Sequence, residues 1–260
     1  MEIEAPRIAA KAKAGHFVMI RVDEHGERFP LTIADTNKSS GTVRVIFQVV
    51  GGSTIKLNRL ESGDDVKDIV GPLGLPVHHE NIRHAIVIGG GVGCAIAYPH
   101  AKALKQQHAK VSFIAGFRNK DLFILEDEIR QVADQTYFTT DDGSAYRKGF
   151  VTDVLKEILE NESDVDLVIA IGPLLMMKAV SSVTKTYNIK TVVSLNPIMI
   201  DGTGMCGGCR VKIGEEYKFA CVDGPEFDGH LVDFDELFLR NSAYVQQEKH
   251  LCKLLEEDKK

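Results

Sequence analysis

The apolar and polar positions of this chain follow two rhythms. Over residues 1–80 they alternate in short runs, His16–Val22, Pro30–Ala34, Thr42–Val50 and Asp65–Val70. Turn-forming residues separate the runs: Glu24-His25-Gly26, Asn37-Lys38-Ser39-Ser40-Gly41 and Ser62-Gly63-Asp64. A period of two over short segments predicts a small antiparallel β-barrel. One helix interrupts it, expected over Thr54–Leu60 and opened by Gly51-Gly52-Ser53-Thr54. Gly71-Pro72-Leu73-Gly74 forms a rigid loop at its end. From residue 81 to 196 the rhythm changes. Arg83–Ile88, Val111–Ala115, Gln135–Thr139, Asp166–Ile171 and Thr191–Leu195 read as strands. Cys94–Gln107, Leu122–Arg130, Val151–Leu159 and Pro173–Thr186 read as the helices between them. Strands alternating with helices predict a doubly wound parallel sheet with right-handed crossovers. Residues 197–260 form a third, small module that ends in an amphipathic tail, Gln246–Lys260. The fold class is therefore α/β plus β.

Composition narrows this picture without changing it. A chain of 260 residues has room for two compact domains and a small module. With 44% hydrophobic and 26% charged residues it reads as an ordinary soluble protein. A net charge of -6 argues against nonspecific nucleic-acid binding. No apolar run has the length of a membrane span. The N-terminus, Met-Glu-Ile-Glu-Ala-Pro, lacks the basic and apolar regions of a secretory signal. Five unevenly spaced cysteines fit a reducing cytoplasm and not a disulfide framework.

Candidate chemistry gathers where the parallel strands end, because open α/β sheets bind ligands at the carboxyl ends of their strands. Gly89, Gly90, Gly91, Val92 and Gly93 follow the first of them and lead into a helix. Such a turn cradles a pyrophosphate against helix N–H groups, or is simply a tight connection, since G-x-G-x-x-G is incomplete here. Gly116-Phe117-Arg118, Thr140-Asp141-Asp142-Gly143-Ser144 and Gly172-Pro173 end the next strands. Asp141 and Asp142 either bond a ribose and repel a 2′-phosphate, favouring NAD over NADP, or cap a solvated turn. In the first domain an extended Arg28-Phe29-Pro30-Leu31-Thr32 puts the cation and the hydroxyl on one face.

The third module carries the most specific signal. It reads Asp201-Gly-Thr-Gly-Met-Cys206-Gly-Gly-Cys209, with Cys221 downstream. The spacing x4, x2 is that of plant-type iron–sulfur loops, with aspartate in the place of the first cysteine. Structural zinc is the rival, but it favours four cysteines or three and a histidine. No histidine lies between Cys206 and Cys221, and His230 is the nearest downstream. Cys94 reads as a packing cysteine, Cys252 as structural or at a partner contact, and His78-His79 as solvated linker.

In this order the three blocks resemble the ferredoxin–NADP reductase superfamily over essentially the whole chain. They are most similar to its subgroup with a C-terminal [2Fe-2S] module. That subgroup includes dihydroorotate dehydrogenase electron-transfer subunits and small subunits of NADH-dependent reduced ferredoxin:NADP oxidoreductase. Pro30-Leu31-Thr32 and the aspartate ligand look like the latter branch. The resemblance implies that Arg28 pairs with an FAD pyrophosphate and that Phe29, Pro30, Leu31 and Thr32 line the flavin, with the Thr32 hydroxyl near N5. Gly52, Ser53 and Thr54 would donate to the pyrophosphate, and Gly71 and Gly74 would border the cofactor. Gly89–Gly93 would hold NAD(H), Asp141 and Asp142 the ribose, and Gly172, Pro173, Met176 and Met177 the nicotinamide. Asp201, Cys206, Cys209 and Cys221 would ligate the cluster.

Such a subunit would exchange hydride with NAD(H) at FAD and pass single electrons through the cluster to a larger partner. The partner implied is a flavin and iron–sulfur oxidoreductase subunit resembling the glutamate synthase small subunit, and electron bifurcation is expected there. The alternatives are the electron-transfer subunit of an NAD-dependent dihydroorotate dehydrogenase and a non-catalytic redox sensor. Two departures stand out. Ile171 occupies a position where the superfamily often has cysteine, and the family usually has one more strand upstream of Met1.

Overall fold

In the computed structural model, which describes residues 1–76 and 79–257, the period-two segment folds as an open antiparallel sheet. Its strands are β1 (Glu2–Glu4), β2 (Phe17–Arg21), β3 (Phe29–Asn37), β4 (Thr42–Val45) and β5 (Asp68–Leu73). They hydrogen-bond in the order β1-β4-β3-β2-β5, so the expected barrel is a half-barrel with β1 and β5 as its edges. Alternation along β2 explains why Phe17, Val18, Met19 and Ile20 are all buried. Val18 and Ile20 face the half-barrel's own core with Val43, Val45 and Leu57. Phe17 and Met19 point the other way, into a core shared with the rest of the chain.

Two elements here escape a periodicity argument. β1 has three residues, and helix α1 (Pro6–Ala9) has four and starts on a proline. Helix α2 (Gly52–Asn58) begins earlier than expected. The Thr54 hydroxyl accepts from the N–H of Gly51 at 3.0 Å, which makes Gly51 the helix cap.

The α/β region follows the expected alternation: β6 (His84–Gly90), α3 (Gly93–Gln106), β7 (Lys110–Phe117), α4 (Glu126–Val132), β8 (Gln135–Thr140), β9 (Arg147–Lys148), α5 (Val151–Asn161), β10 (Leu167–Ile171), α6 (Leu174–Thr186) and β11 (Lys190–Ser194). The helix expected over Leu122–Arg130 is split. Leu125 adopts φ +56, a left-handed conformation that an α-helix cannot contain, and α4 starts only after it. The last segment contributes a hairpin, β12 (Arg210–Ile213) and β13 (Glu216–Phe219), then β14 (Glu226–Asp228), α7 (Phe234–Asn241) and α8 (Val245–Glu257).

The large sheet runs β14-β11-β10-β6-β7-β8-β9. β14 pairs antiparallel with β11, so the third segment is stitched to the second by main-chain hydrogen bonds. β6 lies between β10 and β7, so the winding reverses there and opens a crevice at the strand ends. Ile171 and Gly89 are in register across that point.

The glycines at the crevice are there for packing. A Cβ on Gly93 would overlap the carbonyl oxygen of Ile171, and one on Gly90 would lie 2.5 Å from Met176 Sδ. Only Gly91 is different: at φ +55 it has open space where its side chain would be. Two substitutions separate these causes. Gly93→Ala should cost about 2–3 kcal/mol from backbone overlap. Gly91→Ala should cost only about 1 kcal/mol, the strain of the left-handed conformation. Urea unfolding measures both, and equal losses would contradict the packing explanation.

Candidate functional site

A cavity of about 280 Å³ opens where all three segments meet. Strand β3 supplies Phe29, Pro30, Leu31 and Thr32, and α2 supplies Thr54. Val92 and Ile96 enter from the glycine turn and α3, Leu195, Asn196 and Met199 from the chain after β11, and Pro225 from the loop before β14. The structure thus brings together residues that the sequence analysis assigned separately to two nucleotides. It adds Phe47, Gln48, Asn196, Met199 and Pro225, which that analysis missed. Gly224-Pro225 is a turn dipeptide and could have drawn attention; Phe47 and Gln48 lie in the alternating run Thr42–Val50, which signals a strand and not a site, and Asn196 and Met199 follow the last predicted strand without a motif.

Arg28 stands at the edge of this group. Its guanidinium lies 3.5 Å from Asp68 Oδ2, an oxygen that Arg21 also engages at 2.5 Å. Gly52 and Ser53 form the first turn of α2, and the Ser53 hydroxyl donates to Glu27 at 3.4 Å. Gly71 and Gly74 have packing roles instead of lining the cavity. A Cβ on Gly71 would stand 2.8 Å from Val18, and one on Gly74 3.1 Å from both Phe17 and Pro225.

Along the crevice, Gly91 donates to the carbonyl of Gly116 at 2.8 Å, which ties the turn to β7. Pro173 caps α6, and Met176 reaches back over Gly90 and Gly172. Met177 does not join them. One residue further round the helix, it turns by about 100° and is buried in the core beneath the sheet. The Cys94 thiol is fully buried, and burial pushes its pKa up, consistent with packing. Asp141 and Asp142 are exposed at the end of β8. Asp142 accepts from the Ser144 N–H at 2.9 Å, and the Ser144 hydroxyl foremost holds its carboxyl below the usual range. Arg118 follows the neighbouring β7, and its carbonyl accepts from the Asp142 N–H at 3.3 Å.

The cysteine loop is arranged in two pairs. Cys209 and Cys221 are buried with their sulfurs 3.3 Å apart. Asp201 and Cys206 are held together by the Cys206 N–H, which donates to Asp201 Oδ2 at 3.0 Å. No three of these four donor atoms lie within 4.8 Å of one another. A single zinc ion needs all its ligands around one centre at about 2.0–2.3 Å, whereas a two-iron cluster takes two ligands on each iron. Two separate pairs are the arrangement that a two-iron cluster takes. His230, the nearest downstream histidine, is held by Thr184 at 2.9 Å.

Asp201 is also a turn residue. Its Oδ1 accepts from the Thr203 N–H at 2.8 Å and from the Thr203 hydroxyl. The hydroxyl is the main reason that its carboxyl sits far below the usual range, so it is anionic at any working pH. A carboxylate offers about four lone-pair positions, enough for the turn and a metal bond together. The Gly208 N–H points at the Cys206 sulfur at 3.4 Å, and Arg240 of α7 clamps the Gly208 carbonyl at 3.2 Å.

One linker expectation changes. His79 is buried against α3 and β14, not solvated, because Glu226 and His100 close over it; His78 lies outside the described residues. Cys252 is half-buried on α8, a helix that packs against α2. No helix among the described residues is long and apolar enough to cross a membrane.

Fold and site together define an oxidoreductase with an NAD-binding domain followed by an iron–sulfur domain. Residues 87–182 match the oxidoreductase NAD-binding domain, and residues 196–233 match the iron–sulfur cluster binding domain of dihydroorotate dehydrogenase B. An uncharacterized protein in the adh 3′ region of Clostridium beijerinckii is 51% identical over 95% of this chain and 86% of its own length. A dihydroorotate dehydrogenase B (NAD(+)) electron transfer subunit homolog of Thermotoga maritima is 46% identical over 95% of this chain and 87% of that one. A solved chain from a study of flavin-based electron bifurcation by NADH-dependent reduced ferredoxin-NADP oxidoreductase superposes with a TM-score of 0.92. It is 44% identical, over 98% of this chain and 91% of that one. A cytochrome b5 reductase domain of Ulva prolifera nitrate reductase, at 20% identity and a TM-score of 0.54 over 65% of this chain and 78% of that one, shares the fold. The chain belongs to the family of dihydroorotate dehydrogenase B-type electron transfer subunits. It is an NAD-linked electron-transfer subunit with an iron–sulfur domain, and its named relatives are parts of multi-subunit enzymes.

Burial and the neighbouring Cys209 push the Cys221 thiol up to about 12. A raised pKa means that the thiolate is scarce at neutral pH and grows tenfold per pH unit below 12. In cluster-free protein, alkylation of Cys221 should therefore climb about tenfold per unit from pH 7 to 9 without levelling off. Peptide mapping by mass spectrometry reads this out. A plateau near pH 8.5, where an ordinary thiol ionises, would contradict it.

Proposed function

We propose that this chain takes reducing equivalents from NADH at an FAD and delivers them one at a time, through a [2Fe-2S] cluster, to a larger flavin and iron–sulfur partner. A flavin accepts hydride and releases single electrons, which is the chemistry that this reading needs from the bound group. The observation that carries it is the shared cavity. Its walls join β3, the glycine turn and Met199, and Met199 lies just before the cysteine loop.

The residues divide the work. Pro30, Leu31 and Thr32 shape the wall against which the isoalloxazine would lie, with the Thr32 hydroxyl toward N5. Gly52, Ser53 and Thr54 offer N–H groups at the start of α2 to a pyrophosphate. Arg28 adds its cation there in exchange for its long contact with Asp68. Gly89, Gly90, Gly91, Val92 and Gly93 receive the dinucleotide, with Gly91 leaving it room. Gly172, Pro173 and Met176 flank the nicotinamide, and Met177 supports them from the core. Asp141 and Asp142 face the ribose, where their carboxylates would oppose a 2′-phosphate. Asp201 with Cys206, and Cys209 with Cys221, hold one iron each.

The partner resembles the glutamate synthase small subunit in this reading, and the complex works in the cytoplasm as an NADH-dependent ferredoxin:NADP oxidoreductase. Support comes from the aspartate in the ligand set and from the likeness, at 44% identity over nearly all of both chains, to that enzyme's subunit. A second reading, an electron-transfer subunit serving dihydroorotate oxidation, is favoured by relatives of that name at 32–33% identity.

NADH should bleach the flavin anaerobically, and kcat/KM should favour NADH over NADPH by at least about tenfold, since like charges placed together cost over 1.4 kcal/mol. Replacing Asp141 and Asp142 with Ser and Arg should narrow that ratio. An unchanged ratio would show that the carboxylates do not face the ribose. Separately, Cys209→Ser should remove the cluster yet leave bleaching by NADH intact, while electron delivery to the partner collapses. Normal delivery from a protein without iron would contradict the proposed route.

A further inference from the structure

One helical turn along α3 from Ile96 of the cavity described above, three metal-ligating side chains meet that the proposed electron route does not use. His100 lies on α3 and is 3% exposed. Glu226 opens β14, and its side chain is fully buried. His79 comes from the segment that joins the half-barrel to the large sheet, and it is buried as well. Their ligand atoms all lie within 4.8 Å of one another.

Glu226 is the anomaly. A buried carboxylate is costly unless charge or hydrogen bonds satisfy it. Among the described residues, neither of its oxygens receives a hydrogen bond. His100 Nε2 stands 2.8 Å from Oε1, but the approach lacks hydrogen-bond directionality. Gly15 leaves room for the same oxygen: a Cβ there would stand 2.6 Å from Oε1. A buried carboxylate oxygen and an imidazole nitrogen face each other here at 2.8 Å without the alignment of a hydrogen bond.

We propose that His79, His100 and Glu226 bind a divalent first-row transition metal ion, for which zinc(II) is the probe. Two imidazoles and a carboxylate are a borderline nitrogen and oxygen donor set, suited to zinc and its neighbours and not to calcium or magnesium. Bonds of about 2.0–2.2 Å place tetrahedral ligand atoms roughly 3.4 Å apart, a spacing that small side-chain rotations reach from the observed separation. The ion would place positive charge directly on the buried Glu226 carboxylate, which no hydrogen bond among the described residues satisfies.

An entry path exists. A cavity of about 460 Å³ is lined by both His79 and His100, and Lys13, Asp35 and Lys102 also border it. Water from that cavity can complete the coordination. His16 is close by but does not offer its Nδ1, which accepts from the Lys13 N–H at 2.9 Å. The ion would tie three parts of the chain together: the linker after the half-barrel, α3, and the strand that follows the cysteine loop.

The test uses the whole protein with its iron–sulfur cluster intact. It is equilibrated with zinc sulfate at about 10 µM, desalted, and analysed for zinc and iron together. One zinc per chain is expected, with the iron content unchanged. Removal of a direct ligand should weaken binding by at least about 100-fold, more than is lost with supporting residues. His100→Ala and Glu226→Gln should therefore emerge without zinc. His79→Ala, in the linker, gives the same readout if either core variant fails to fold. Zinc K-edge absorption should show nitrogen and oxygen neighbours with imidazole scattering. No retained zinc, zinc retained by all three variants, or a zinc–sulfur distance of about 2.3 Å would overturn the proposal, the last by pointing to the cysteine loop.

Discussion

The arrangement of this molecule depends on one close approach, that of the loop at Gly202 to strand β2. Gly202 has φ +82, and a side chain there would bring its Cβ within 2.6 Å of Met19 and 3.2 Å of Leu73. The residue next to the proposed first ligand, Asp201, therefore lies directly on the half-barrel. Met19 belongs to the same apolar core as Phe17, Met199, Cys209 and Cys221. That continuity joins the cavity to the cysteine loop through packed apolar side chains. It follows from β2 having two apolar faces, one for its own sheet and one for everything else.

Charge and hydrogen bonding then refine what packing has set. At the crevice most glycines serve the approach of backbone to backbone, and only Gly91 leaves space unfilled. In the cysteine loop the same economy separates two pairs of proposed ligands: Cys209 and Cys221 inside the core, Asp201 and Cys206 at its surface. The outer pair is kept in place by backbone N–H groups and by Arg240, so its geometry depends on α7 as well as on the loop.

Much of this was legible in the amino-acid order. Five of the six parallel strands of the large sheet fell where apolar runs predicted, because buried strands carry a local signal, whereas the exposed two-residue β9 carries none. The cysteine loop was legible for a similar reason: three of its four donors lie within nine residues. What the sequence concealed depends on distant partners. Met177 and Met176 look alike in a helix, and only the position of the sheet decides which one is buried. His79 reads as a polar linker until α3 and β14 enclose it. Leu125 breaks a helix by its conformation and not by its type. The openness of the half-barrel is decided by pairing between edge strands, which short alternating runs do not encode.

The central claim is that the Gly202 contact fixes the cysteine loop against the flavin cavity closely enough for electrons to pass. The most direct measurement is the rate of cluster reduction after rapid mixing with NADH, followed by freeze-quench electron paramagnetic resonance, in wild-type protein and Gly202→Val. The account predicts unchanged bleaching of the flavin and cluster reduction slowed by about tenfold or more, because the valine side chain must lift the loop from Met19. Cluster reduction at the wild-type rate, with the cluster fully retained, would contradict it.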